Sequence, residues 1–282
     1  MKFEEKFIAY MDVLGFKGMV EASESGNGMS LPELMGNLSK LGTQQDETKY
    51  ERHGPTTCPQ SQCIEKNLNF KVTQISDCVI VSSELSPAGI INLVSHCWGA
   101  VIELLMKGTM CRGYITKGSI YHHNNQVIGT GYQKAYTNES GVTAFKHEAD
   151  ERGTPFVEID PIVCSYVEAS TDRCVKEMFS RMVKSENDTT ALFPFQRLSH
   201  SFMIGGFGQK FDPNKEKESN NNVRMLLKSL IERVLAYVEP SNMNAMNKAR
   251  YYIRALEEQL VVFDRTDEVI DKLCSPFPSR RI

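Results

Sequence analysis

Short apolar runs separated by turn-forming stretches occupy the first 170 or so residues, and longer helical periodicities follow. Residues 7–13 read FIAYMDV, an apolar run broken by one acid. The pattern predicts a buried strand that ends at a carboxylate. Gly15 breaks the run, and residues 16–22 have helical character. Residues 31–41 predict a second helix, with Ser30 as its N-cap ahead of Leu31 and Pro32. Residues 43–64 are polar and rich in turn formers, which predicts a long exposed loop.

Residues 68–72 and 78–82 are β-branched runs, and 74–77 form the expected tip of a hairpin between them. Ser86-Pro87 opens a helix over 88–106, closed by Gly108. Strands are expected at 110–115 and 118–122, a brief extended piece at 127–128, a helix at 131–145, a strand at 155–159 and a short helix at 161–167. The order βααββαβ, then a helix and a strand, predicts an α+β sandwich with a mostly antiparallel sheet. It lacks the strict βαβ alternation of a doubly wound sheet.

Beyond about residue 170 the character changes. Residues 172–184 predict a helix, 185–190 a polar break and 205–222 a Gly-, Asn- and Lys-rich loop. Residues 223–238 and 243–263 are amphipathic helices with Pro240 between them, an expected αα-hairpin. No internal repeat is present. Residues 1–168 are therefore expected to form one domain and 169–282 a mainly helical extension.

Composition adds exclusions. The chain has 282 residues, 41% hydrophobic and 24% charged, with a formal net charge of -3. That supplies a substantial core and no global positive field, so nucleic acid is not an expected partner. The first residues, MKFEEKFIAYMDVLGF, lack the pattern of a signal peptide. No run reaches the ~18–20 apolar residues of a membrane span. The expected location is the cytoplasm, without membrane association. The 8 cysteines are scattered, and reduced thiols are expected. Cys58 and Cys63, with His53 nearby, lack the second pair of a zinc site.

Four segments carry the candidate chemistry. Asp12-Val13-Leu14-Gly15-Phe16 places an acid at a strand end before a glycine turn. Its carboxylate suits Mg²⁺ or Mn²⁺, and the backbone NH groups of the turn suit a phosphate. Ile75-Ser76-Asp77-Cys78 places a second acid at the hairpin tip. Two such carboxylates on neighbouring strands suit a pair of divalent ions beside one triphosphate. Taken singly, each Asp is most often a turn former. Residues 112–118, RGYITKG, and 129–139, GTGYQKAYTNE, are unspecific alone. Residues 205–210 lack the context of a phosphate loop, and His122-His123 reads as a strand end.

In this order the four segments resemble the class III nucleotidyl cyclase domain, whose motifs run F-x-D-[IV]-x-G-F, G-D, R-x-G-I-x-x-G and G-x-x-x-N-x-A-x-R-x-E. The variants AYMDVLGF, SDCVIV and RGYITKG are similar to bacterial antiphage pyrimidine cyclases of Pycsar type. The resemblance covers roughly residues 5–160 and implies a ferredoxin-like cyclase sandwich. It implies that Asp12 and Asp77 hold two Mg²⁺ or Mn²⁺ ions, with the Val13 carbonyl as a further ligand. It implies that the backbone of Leu14, Gly15 and Phe16 holds the β- and γ-phosphates.

Gln133 stands where the family has an Asn that orients the ribose. Thr137 stands where it has an Arg that stabilises the transition state, and losing such a cation typically costs two or three orders of magnitude. Arg112, Lys117 and Lys134 are the candidate substitutes. Thr73 and Gln126 occupy the base-selecting positions. A hydroxyl and a neutral amide argue against a purine, so UTP is the favoured substrate and CTP stays open.

The implied reaction is closure of the 3′-hydroxyl onto the α-phosphorus with loss of pyrophosphate. The implied assembly is a head-to-tail homodimer with composite sites, and the implied partner is a separate effector that responds to the cyclic nucleotide. A purine cyclase, or a silent cyclase-like module that binds nucleotide or a partner, are the alternatives.

Overall fold

The computed structural model describes residues 1–53, 61–65, 68–195 and 212–274. Strand β1 (Glu4–Val13) lies at the centre of a sheet ordered β2-β3-β1-β4-β6-β8-β7. The other strands on this path are β2 (Lys71–Ile75), β3 (Cys78–Glu84), β4 (Cys111–His123), β6 (Val157–Ile159), β7 (Val183–Glu186) and β8 (Thr189–Leu192). A short β5 (Gln126–Ile128) pairs with β4 off this path. Every pairing is antiparallel except β4 with β6. The protein is thus α+β with a mixed eight-stranded sheet.

The unbroken apolar run of β1 follows from its position. Both of its faces are covered, so alternation has no selective reason to appear. Phe7, Ala9, Met11 and Val13 enter the main core, while Ile8 and Tyr10 enter a smaller cluster on the opposite face. The main core is closed by α4 (Pro87–Leu105), whose Ser86 side chain accepts from the Gly89 amide at the N-terminus. This helix has the length and hydropathy of a membrane span, yet 67% of that window is buried inside the fold. It is packed as a core helix.

The opposite face carries α5 (Thr130–Glu139) across β1 and β4. Gly118 and Gly131 permit the close approach. A Cβ on Gly118 would lie 2.8 Å from the Gly131 Cα, and one on Gly131 would lie 2.4 Å from the Ile8 Cδ1. The helix therefore lies almost on the strand.

Several segments differ from expectation. The polar stretch after residue 43 is not all loop, because α3 (Gln44–His53) is helical. Its Glu47 carboxylate accepts from the Val72 amide at 2.7 Å and pairs with Lys71 at 3.0 Å. The helix thereby satisfies part of the β2 edge, whose outer groups would otherwise invite pairing. The two strands expected over 110–122 are one continuous β4, and the helix expected over 131–145 stops at Glu139.

The boundary expected at residue 168 does not coincide with an edge of the sheet. After α6 (Pro161–Glu168) and α7 (Arg173–Ser180), the β7–β8 hairpin extends the same sheet where a helix and a polar break were expected. Asn187 and Asp188 take left-handed backbone at its tip. Residues 213–222 belong to a helix, α8 (Pro213–Tyr237), rather than to a loop. The Asp212 carboxylate caps it, accepting from the Asn214 amide at 3.0 Å. The last helix, α9 (Met243–Cys274), runs beyond the expected 263. The αα-hairpin is formed: Arg224 of α8 pairs with Asp264 and Asp267 of α9. One core joins both parts of the chain, since Leu227, Leu230 and Tyr252 share it with Phe7 and Met11.

Candidate functional site

Asp12 sits one residue before the end of β1, directly between Cys78 of β3 and Arg112 of β4. Residues opposite one another across a ladder share a face. Asp12, Cys78 and Arg112 therefore point to the side of the sheet that carries α5. Asp77 occupies the two-residue turn between β2 and β3, next to Ser76 in left-handed backbone. That turn is tied to β1, for the Val13 amide donates to the Asp77 carbonyl at 3.0 Å. Two acids far apart in the chain thus meet at one end of the sheet, near enough for the Asp77 carboxylate to act on that of Asp12.

The electrostatics of the pair are unfavourable. Burial, and then the carboxylates of Asp77 and Glu139, push the Asp12 carboxyl up to about 7, while Arg112 pulls the other way. Arg112 is held by Glu139, with Nε 2.5 Å from Oε1, and also reaches the Gly153 carbonyl at 3.4 Å. Glu139 closes α5, so the helix that packs over Gly118 also anchors the guanidinium. Tyr10 lies beside Cys78 on the same face, and burial raises the pKa of both groups.

The turn beyond Asp12 is built on Gly15, with φ 78 and ψ 11. No atom lies within 4 Å of a Cβ placed there, so the backbone conformation alone requires glycine. The Leu14 amide donates to the Met110 carbonyl at 2.9 Å, which fixes the turn against the start of β4. Gly15 then caps α1 (Phe16–Glu24), a helix with no acidic residue in its first turn and no side-chain cap. Its early NH groups remain available to an anion.

The pair fits a hard divalent cation. Magnesium is usually held by one or two carboxylates together with substrate phosphates, not by a full protein cage. Among the described residues no group of three or more His, Cys, Asp or Glu side chains converges as a metal cage. Two oxygen donors whose mutual repulsion raises a carboxyl pKa are the donor set that an added cation stabilises.

The other expected site residues lie elsewhere. Thr73 is 3% exposed, and its hydroxyl bonds the His122 ring at 2.9 Å. The other nitrogen of that ring meets the Ser82 hydroxyl at 2.8 Å. Gln126 pairs with His123, 11 residues along β4 from Arg112. At ~3.3 Å per residue that is about 36 Å from the carboxylates. Gln133 and Thr137 are exposed on the outer side of α5, one helical turn apart. Within one chain, Gln126 therefore shares no cleft with the metal-type residues, and Gln133 and Thr137 face solvent.

The candidate cations resolve in a similar way. Lys134 pairs with Asp160 at 2.5 Å, where the Asp160 carboxylate also accepts from Thr116. Lys117 lies opposite Phe7, five residues along β4 from Arg112, or about 17 Å away. Cys58 and residues 205–210 lie outside the described residues. None of the described cysteines is joined in a disulfide.

The chain matches no family model and no curated protein. The site is defined by its own geometry.

Sequence reasoning missed two residues at this end of the sheet. Lys248 of α9 is half-buried, and both Asp12 and Arg112 act on its ammonium. Its pKa is lowered, first by burial and then by Arg112. Thr109, just before β4, is 2% exposed and its hydroxyl has no hydrogen-bond partner among the described residues. Neither belongs to a motif. Only the folding of α9 onto the sheet places Lys248 there.

Proposed function

We propose that the protein is a nucleotide cyclase that converts a pyrimidine nucleoside triphosphate, UTP in preference to CTP, into its 3′,5′-cyclic monophosphate and pyrophosphate. The observation that carries the reading is the meeting of Asp12 and Asp77 beside a glycine turn that opens a helix with no side-chain cap. The connectivity supports it. Strands β1 to β4 with their intervening helices stand in the spatial order 2-3-1-4, the ferredoxin-like arrangement of a cyclase sandwich.

Asp12 and Asp77 would hold Mg²⁺ or Mn²⁺, with the Val13 carbonyl alongside. Bound divalent ions supply charge neutralisation at the phosphate oxygens and acidify the ribose hydroxyl. Of the Leu14–Phe16 turn, the Gly15 and Phe16 amides would orient the terminal phosphates, because the Leu14 amide is taken by the Met110 carbonyl. The bond from the 3′-oxygen to the α-phosphorus forms as the bond from that phosphorus to the bridging oxygen breaks. Pyrophosphate takes the electron pair and the hydroxyl proton passes to solvent. No protein nucleophile is required.

A head-to-tail homodimer would close the distance between Gln126 and the carboxylates and set the exposed Gln133 and Thr137 at the contact. A second copy would bring those side chains to the first copy's acids. Ile75 and Tyr136 are 53% and 56% exposed. Ile75, opposite Cys78, and Tyr136 of α5 both lie on the α5 side, and they give such a contact apolar area. The product would act as a cytoplasmic second messenger on a separate effector in antiphage defence.

The decisive assay incubates the purified protein with each of ATP, GTP, UTP and CTP plus Mn²⁺ and identifies the products by mass spectrometry. A cyclic pyrimidine nucleotide is expected, with loss of at least a hundredfold in Asp12→Asn and Asp77→Asn. A cyclic purine product would move the reading to a purine cyclase. Triphosphate binding without any product would leave a silent nucleotide-binding module, which the neutral Thr137 favours.

A further inference from the structure

A cavity of about 600 Å³ opens between the Leu14–Gly15 turn, the strand entry at Thr109 and the first turns of α9 at Asn242 and Lys248. Its size is that of a small-molecule site. α9 is not loosely placed there. Tyr252, one helical turn beyond Lys248, is 1% exposed, and its hydroxyl donates to the Cys111 carbonyl at 3.4 Å. Cys111 is the register partner of Val13 and the neighbour of Arg112. The same helical face therefore delivers Lys248 to the end of the sheet where the two acids meet.

We propose that Lys248 binds the polyphosphate tail of the nucleotide in this cavity, supplying from α9 of the same chain a cation that the motif segments lack. This role rests on the nucleotide reading above and extends it to a residue outside every motif. Among the described residues Lys248 makes no ion pair, whereas Arg112 is paired with Glu139 and Lys134 with Asp160. Thr109 adds a second observation. Thr109 lines the cavity, and its hydroxyl is buried at that wall with no hydrogen-bond partner among the described residues; a polar group in that state is costly unless a ligand or water completes it. Glu239 lines the rim and is exposed. It repels an anion more weakly than the half-buried ammonium attracts one, because water screens it.

The test uses the full chain and inorganic tripolyphosphate with Mn²⁺, followed by isothermal titration at several salt concentrations. Lys248→Met is expected to weaken binding tenfold or more and to flatten the salt dependence, and Lys248→Arg to stay within about threefold of the parent. Thr109→Val is expected to weaken binding without lowering thermal stability. A purely structural role for Lys248 would not change the salt dependence or be rescued by Arg. Equal binding by the parent and Lys248→Met overturns the assignment and leaves the cyclase reading standing. If the parent binds neither tripolyphosphate nor any nucleoside triphosphate, the cyclase reading itself falls, and this assignment with it.

Discussion

Breaking the Arg112–Glu139 pair should unsettle the whole carboxylate end of the sheet. The two side chains are 15% and 8% exposed, with Nε 2.5 Å from Oε1. At an effective dielectric of ~20 their attraction is about 6–7 kcal/mol before desolvation. Removing one partner of such a pair costs about 3–5 kcal/mol, chiefly because the other charge stays buried. The cost is aggravated here because Glu139 already acts on Asp12, and Asp77 stands beside it. Arg112→Met should therefore lower the melting temperature by on the order of 10 °C in a chain of this size. Arg112→Met with Glu139→Gln removes both charges and should recover at least half of the loss, a coupling of about 2 kcal/mol or more. Urea unfolding of the parent, both single variants and the double variant measures it directly. A loss below about 1 kcal/mol for Arg112→Met, or additivity within ~0.5 kcal/mol, would refute the claim that this pair anchors the site.

Two further outcomes follow from the same coordinates. Burial, then Lys6 and Lys71, lowers the His122 pKa from 6.5 to about 3. The unfolded chain therefore binds a proton that the folded chain refuses between those values, and stability contributed by neutral His122 is lost as pH falls from about 6.5 toward 3. The loss is about 2 kcal/mol at pH 5, where the raised Asp12 pKa acts in the opposite direction. His122→Gln keeps the Asp12 contribution and removes the histidine one, so the difference between parent and variant in urea midpoint should shrink by that amount on going from pH 7 to pH 5. An unchanged difference would show that the ring is not held neutral. The glycines should separate crowding from backbone strain. Gly118→Ala should cost about 1–3 kcal/mol through collision with the α5 backbone, whereas Gly15→Ala should cost about 1–2 kcal/mol through left-handed strain alone. Gly15→Asn should recover much of the second loss and Gly118→Asn none of the first, as read by thermal unfolding.

Local pattern determined much of this protein before any contact was known. The apolar run of β1, the turn at Ser76 and Asp77, the Ser30 cap, the Pro87 start of α4 and the α8–α9 hairpin are properties of neighbouring residues, and neighbours suffice to specify them. The two acids stood out because a charge ending an apolar strand must find a cation, a partner or solvent. The helical state of α3 was hidden, since its residues are polar and its ties, among them Glu47 to Lys71 and Val72 and Gln44 to Asn125, reach residues far along the chain. The β7–β8 hairpin was hidden too, because four-residue strands carry little period and depend on the free edge of β6. That Thr73 is enclosed beside His122, that Gln126 stands a strand length from Asp12, and that Lys248 lies at the carboxylate end of the sheet are facts of register and packing. They join residues more than two hundred positions apart, and such distances exist only after the sheet closes and α9 lies down on it.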